Sequence, residues 1–217
     1  ITEDNEEAIQ KVIKYVNAAK AAGFASFSID ASKLVDYKAG TVAEQQKRNI
    51  EVTARIVKET GVENFAWEGE IGEIVGEHNS LSTVEEAVTF IEGIEKLGVR
   101  APILLAINNG SEHGNVPGMK INLETTKAIA DAIYQRWGIW INQHGITGTE
   151  LPLFPQLAAV RIRNGNVGTH WQNYMWEVIN QKRPDIVAKA LETLKLDKYR
   201  SKDWDKKIRN FEPQLDQ

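Results

Sequence analysis

An α/β fold, with a parallel sheet wrapped by helices as part of a (β/α)8 barrel, is what the sequence predicts on three observations. Helical apolar stripes alternate with short apolar runs, glycines divide them, and polar residues gather just after the apolar runs. Ile9, Val12, Ile13 and Val16 keep helical spacing before Gly23, and 24–29 reads as a strand. Ile50, Ala54 and Val57 mark the next helix, followed by Gly61 and a strand around 64–67. Val84, Val88, Ile91 and Ile94 mark a third helix, opened by a capping box of Ser82 with Glu85 and closed at Gly98. The segment 102–107 is the next strand. Leu123, Ile129, Ile133 and Trp137 precede Gly138 and the strand 139–142. A fifth strand is expected over 158–162, before helices around 171–180 and 184–194.

The barrel, rather than an open sheet, follows from where the polar residues sit. Asp30, then Glu68 and Glu70, then Asn108, Asn109 and His113, then Gln143 and His144, then Asn164 and Asn166 each come after a strand. In a barrel all strand C-termini surround one pocket, so these distant residues converge. Five strands cannot close a ring of eight. The chain therefore reads as the last five βα units of a barrel, in one domain over 1–217 with a helical extension over about 184–217.

Composition narrows the function. The chain has 217 residues, of which 42% are hydrophobic and 26% charged, with a formal net charge of −4. That length suits one domain with a real core. A mildly acidic chain without a basic block argues against nucleic-acid and membrane partners. There is no run of eighteen apolar residues and no signal-peptide pattern, so a cytoplasmic protein is expected. The absence of cysteine removes thiolate chemistry and disulfides. Neither Gly-x-Gly-x-x-Gly after the first strand nor a Walker Gly-Lys-Ser/Thr is present, so nucleotide-binding versions of the fold lose weight.

Of four histidines, His113 and His144 lie directly after strands and beside glycines. One ligand per strand end is how a barrel assembles a metal site, and imidazole with carboxylate suits Zn²⁺. Glu70 is placed to supply the carboxylate. A single loop histidine is more often bonded to backbone; joint placement at three strand ends favours the metal. Arg161 and Arg163 alternate with apolar positions, so they either face solvent or bind an anion. The six tryptophans read as packing groups rather than a sugar-stacking set.

Five segments in order resemble the class II, metal-dependent fructose-bisphosphate aldolases and their ketose-bisphosphate relatives. They are Ser28-Ile29-Asp30-Ala31-Ser32, Glu68-Gly69-Glu70-Ile71-Gly72 with Gly76-Glu77, His113-Gly114-Asn115-Val116-Pro117-Gly118, His144-Gly145-Ile146-Thr147-Gly148-Thr149, and Asn164 through Trp171. The resemblance implies a zinc-dependent lyase, commonly dimeric, that cleaves and forms a phosphorylated ketose such as fructose 1,6-bisphosphate through a metal-stabilised enediolate. A monovalent cation is an expected activator.

Carried onto this sequence, the resemblance makes His113, His144 and Glu70 the metal set, with Asp30 and Glu68 standing behind it. The family's third histidine and its catalytic Asp belong to a His-x-Asp-His motif upstream of the matched region, so these residues alone are not expected to complete the site. Glu77 matches the family's base on a loop, and His78 stands where relatives carry a second acid, so either residue is a candidate base. Gly114, Gly145, Thr147, Gly148, Asn164 and Asn166 are expected at the substrate. Lys202 takes the place of an Arg that reaches the partner subunit's second phosphate. Val167 and Gly168 replace phosphate-set residues, which keeps two alternatives open: an epimerase or aldolase for a sugar or sugar acid with fewer phosphates, and a non-catalytic barrel subunit.

Overall fold

The computed structural model describes residues 1–72, 80–111, 121–199 and 202–208. Its elements run in chain order as α1 (Glu6–Ala21), β1 (Ser26–Ile29), α2 (Val42–Thr60), β2 (Ala66–Glu70), α3 (Val84–Lys96), β3 (Leu104–Ala106) and α4 (Leu123–Trp137). They continue with β4 (Trp140–Gln143), α5 (Phe154–Ala159), β5 (Ile162–Gly165), α6 (Thr169–Lys182), α7 (Pro184–Leu194) and α8 (Lys202–Lys207).

The helices start and stop where their ends are satisfied. Asn5 caps α1 by accepting from the Ala8 amide, and Thr41 and Glu44 close a reciprocal capping box on α2. Gly61 and Gly138 end α2 and α4 at positive φ (66° and 70°), a backbone conformation that costs glycine nothing. The capping box of α3 is Thr83 with Glu86, one residue later than the expected Ser82 with Glu85. Ser82 is committed elsewhere: its Oγ accepts from the Asn108 amide at 2.9 Å and its own amide donates to the Asn108 carbonyl at 2.8 Å.

The five strands pair in sequential order, β1-β2-β3-β4-β5, and every pair is parallel. Sequential parallel order, with a helix between consecutive strands, is the winding of a (β/α)8 barrel and sends all five C-terminal ends to one side. The fifth strand is Ile162–Gly165, not 158–162. Of the expected 158–162, Ala158 and Ala159 belong to α5, Val160 caps it, and only Ile162 lies in the strand. The cause of the break is Arg161, at φ 63°.

The main core lies between sheet and helices. Phe27, Ile29, Trp67, Leu105, Ile139, Ile141 and Ile162 meet Ile50, Val57, Phe90, Ile91, Ile94, Ile129 and Ile133 from the helices. Strand β2 shows why its sequence alternates Glu-Gly-Glu. A Cβ on Gly69 would lie 2.8 Å from the ring of Phe90 on α3, so only glycine lets the helix approach on that face. Gly69→Ala is expected to destabilise the protein by about 1–3 kcal/mol, read as a lower midpoint in chemical unfolding.

Helices α6, α7 and α8 build a second, separate apolar cluster around Trp176, Val187, Ala190, Trp204 and Ile208. Trp204 stands edge-on to both Trp176 and Tyr199, with centroids 5.3 and 5.1 Å apart. Trp67, Trp176 and Trp204 are packing groups, whereas Trp171 is 63% exposed. Arg161 and Arg163 both lie against aromatic rings, over Tyr134 at 4.3 Å and Trp140 at 4.4 Å, and Arg161 also donates to Asp131 at 2.7 Å. Arg161 is thus held against α4 by Tyr134 and Asp131, whereas Arg163 is exposed. Among the described residues, no helix is long and apolar enough to cross a membrane.

Candidate functional site

Side chains two residues apart share a face of a strand, and at the C-terminal ends of β1, β2, β4 and β5 this places polar pairs together. The pairs are Ser28 with Asp30, Glu68 with Glu70, Asn142 with His144, and Asn164 with Asn166. The register brings Ser28 beside Glu68, and Asn142 beside Asn164. Each glutamate faces inward because Gly69 between them faces α3.

The centre of the cluster is His144 between two buried glutamates. Its Nε2 lies 2.8 Å from Glu68 Oε1, and its Nδ1 lies 3.6 Å from Glu70 Oε2. Glu68 Oε1 also accepts from Ser28 Oγ at 3.2 Å, and its Oε2 accepts from Asn142 Nδ2. Asn142 Oδ1 in turn accepts from Asn164 Nδ2 at 2.9 Å. Asn164 Nδ2 also reaches Asn166 Oδ1 at 3.2 Å, and Asn166 Nδ2 is 3.0 Å from His144 Nε2. Asp30 is held by Ser32, whose amide and hydroxyl both donate to its Oδ1 at 2.9 and 2.7 Å.

Charge is concentrated here. Burial pushes the Glu70 carboxyl up to about 8, the negative charges of Asp30 and Glu68 add to that, and His144 offsets part of it. Burial alone would depress His144. The hydrogen bond to Glu68 and the charges of Glu70, Glu68 and Asp30 outweigh it, so the imidazole is held above its ordinary value. Two buried glutamates and the half-buried Asp30 around one imidazole attract a cation by simple electrostatics.

Donor chemistry agrees. One ligand atom each from Glu68, Glu70 and His144 lies within 4.8 Å of the others, a nitrogen and two carboxylate oxygens of the kind that bind divalent zinc. Glu68, expected to stand behind the ligands, lies in this group beside Glu70 and His144 and touches His144 directly. His113, Gly114, Glu77 and His78 lie outside the described residues. Lys202 opens α8, and only its backbone is described.

The turn after His144 carries the other expected residues. Gly145 and Gly148 adopt φ 62° and 94°, and the Thr149 amide closes on the Ile146 carbonyl at 3.0 Å. Ile146, standing where the resemblance has Gly, is buried in the main core and packs on Gly165, where a Cβ would come within 2.7 Å of its Cδ1. Asn108, Asn109 and Gln143 do not line an open pocket. Asn109 and Gln143 exchange amide hydrogen bonds at 2.7 and 3.1 Å, and Asn108 ties the β3 end to Ser80 and Ser82. Ser28 and Asn142 were missed as site residues. The signal was period-2 spacing, since each sits two positions before a residue already singled out.

The fold resembles solved structures described as aldolases. One is a candidate fructose-1,6-biphosphate aldolase from Coccidioides immitis, at 21% identity and TM-score 0.60, matched over 84% of this chain and 60% of that one. The YdjI aldolase from Escherichia coli K12 matches at 22% identity and TM-score 0.57, over 79% of this chain and 56% of that one. The fructose-bisphosphate aldolase of Campylobacter jejuni matches at 18% identity and TM-score 0.52, over 80% of this chain and 53% of that one. The chain thus spans between half and two thirds of the length of these relatives. No curated protein matches it closely enough to count as a relative. The model of the class-II fructose-bisphosphate aldolases matches residues 4–212, nearly the whole sequence, and the chain belongs to that family.

Proposed function

We propose that this chain supplies five βα units of a zinc-dependent aldolase, a lyase that cleaves and forms a phosphorylated ketose. The observation that carries the reading is the buried group of Glu68, Glu70 and His144 at adjoining strand ends in a member of this family. His144 and Glu70 are the proposed ligands in this part of the chain, with Glu68 at the same position or orienting His144, and with His113 as a further ligand. Zinc bound there supplies Lewis acidity toward the ketose oxygens. Asn142 and Ser28 fix the Glu68 carboxylate, and Glu68 in turn fixes the ring plane of His144, as outer partners of metal-bound histidines do. Asn164 and Asn166 offer amide groups at the open side, and the turn at Gly145, Thr147 and Gly148 directs backbone N–H groups suited to a phosphate.

Glu77 or His78 is the proposed base that moves the proton next to the ketone, with Gly114 and Lys202 at the substrate. The protein is proposed to act in the cytoplasm as a homodimer. In the full-length protein, Glu77→Ala is expected to lower kcat by about 10²–10⁴-fold with metal content unchanged. Proton exchange at the donor carbon checks it. Normal exchange in Glu77→Ala with lost exchange in His78→Ala moves the role to His78, and normal exchange in both removes it from this loop.

Cleavage of fructose 1,6-bisphosphate or tagatose 1,6-bisphosphate by the full-length protein, lost in excess chelator, is the test of the reading. Full activity in chelator overturns it. A second reading has a substrate with fewer phosphates. Asn166, which stands in place of a family aspartate, is engaged with Asn164 and His144, and Val167 replaces a phosphate-binding Thr. A screen of singly and doubly phosphorylated ketoses separates the two, since a strict need for two phosphates eliminates the second.

A further inference from the structure

Helix α2 carries a stripe that the chemistry above does not use. Gln46, Asn49 and Thr53 follow one another at helical spacing, and all three are fully buried on the face that also carries Ile50 and Val57. Apolar residues would fill such a stripe at less cost, because a buried amide must find partners for every polar atom. Here they are found. Thr53 Oγ1 donates to Asn49 Oδ1 at 3.2 Å, which fixes which way the Asn49 amide points. Asn49 Nδ2 then donates to the backbone carbonyl of Glu70 at 2.9 Å and to Gln46 Oε1 at 3.1 Å. Gln46 Nε2 donates to the Ile71 carbonyl at 3.3 Å. The ladder thus ends on two consecutive carbonyls beyond Ile29–Gly69, the last register pair of β1 with β2.

We propose that Asn49 is a positioning residue for Glu70, gripping its carbonyl from α2 so that the carboxylate is held toward His144. The inference rests on the reading of Glu70 as a metal ligand. Asn49 touches neither substrate nor metal; it acts through the backbone of β2. Gln46 extends the grip by one residue and Thr53 locks the amide. The three form one device, because Asn49 rotated end for end would present oxygen to the Glu70 carbonyl and lose both donations. On the other side, the Ile71 amide donates to the Ala106 carbonyl at 3.2 Å, so the strand end is tied from both sides.

The test uses the full-length protein in four forms: wild type, Asn49→Ala, Thr53→Val and Thr53→Ser. Thr53→Val keeps the shape and removes only the hydroxyl; Thr53→Ser keeps the hydroxyl. Zinc affinity is measured by competition with a chelator, and amide hydrogen exchange is followed on the metal-free proteins. Asn49→Ala is expected to lower zinc affinity by about 10–100-fold, the usual cost of losing a partner that orients a ligand. Thr53→Val shifts it in the same direction, and Thr53→Ser returns it to the wild-type value. Exchange at 70–72 accelerates in Asn49→Ala and Thr53→Val while the α2 amides at 54–58 keep their protection. Zinc affinity within twofold of wild type in both variants overturns the proposal, as does equal loss of protection in α2, which marks a merely structural role. If the wild type binds no zinc, the reading of the site fails instead, and exchange at 70–72 alone decides whether Asn49 holds the strand end.

Discussion

Replacing His144 by Ala in the full-length protein is expected to remove bound metal and activity together. His144 is the single imidazole among the described residues of the cluster, and its two nitrogens face Glu68 and Glu70. Losing a partner that merely orients a ligand costs roughly 10–100-fold in affinity, so losing the ligand itself costs more. A second consequence separates this from ordinary destabilisation. Without the imidazole, Glu68 keeps Asn142 and Ser28, so its carboxylate stays hydrogen-bonded and the fold survives. Metal analysis with circular dichroism checks both: a folded variant with metal at wild-type occupancy removes His144 from the ligand set.

Glu70→Gln is expected to make the metal-free protein more stable at alkaline pH while weakening its hold on metal. The folded chain keeps the Glu70 proton up to about 8, because of burial and the neighbouring Asp30 and Glu68. The unfolded chain releases that proton in the ordinary carboxyl range. The proton's contribution to stability is therefore present at low pH and is lost progressively as pH rises toward and through 8. His144 is also held above its ordinary value, so its contribution runs in the same direction. Glutamine keeps the neutral shape at every pH. The variant should match wild type near pH 5 and exceed it at pH 9 by on the order of 2–4 kcal/mol in urea unfolding. With saturating zinc the order reverses, since the wild-type carboxylate is then a ligand. A wild type that is the more stable of the two at pH 9 without metal contradicts the assignment.

What could be read from the sequence was set by which signals are local. The alternation of helix and strand was legible because apolar spacing and Gly61, Gly98 and Gly138 act within a few residues. The fifth strand starts later than expected because the apolar run at 158–160 suits a short helix as well as a strand, and Arg161 at positive φ is a break with no residue-type signal. The capping box slipped by one residue because Ser82 looks like a cap, yet its hydroxyl is claimed by Asn108 from another strand end. Glu70 and His144 were legible as polar residues at strand ends. The direct contact of Glu68 with His144 was not legible, since it crosses 76 positions of sequence. The Asn49 grip was invisible for the same reason: on a helical stripe its amide is an anomaly, and only the folded chain shows the Glu70 carbonyl against it.

The central claim is that Glu68, Glu70 and His144 form part of a metal centre, and calorimetric titration of the full-length protein with zinc at pH 7 tests it most directly. Run in buffers of different ionisation enthalpy, the titration counts both the ions bound and the protons released. A carboxyl with its proton held to about 8 and an imidazole held above its ordinary value must both be deprotonated to act as ligands. One zinc ion per chain, bound with release of about one proton or more and lost in His144→Ala, is the predicted result. No binding, or binding without proton release that His144→Ala leaves intact, would contradict the account.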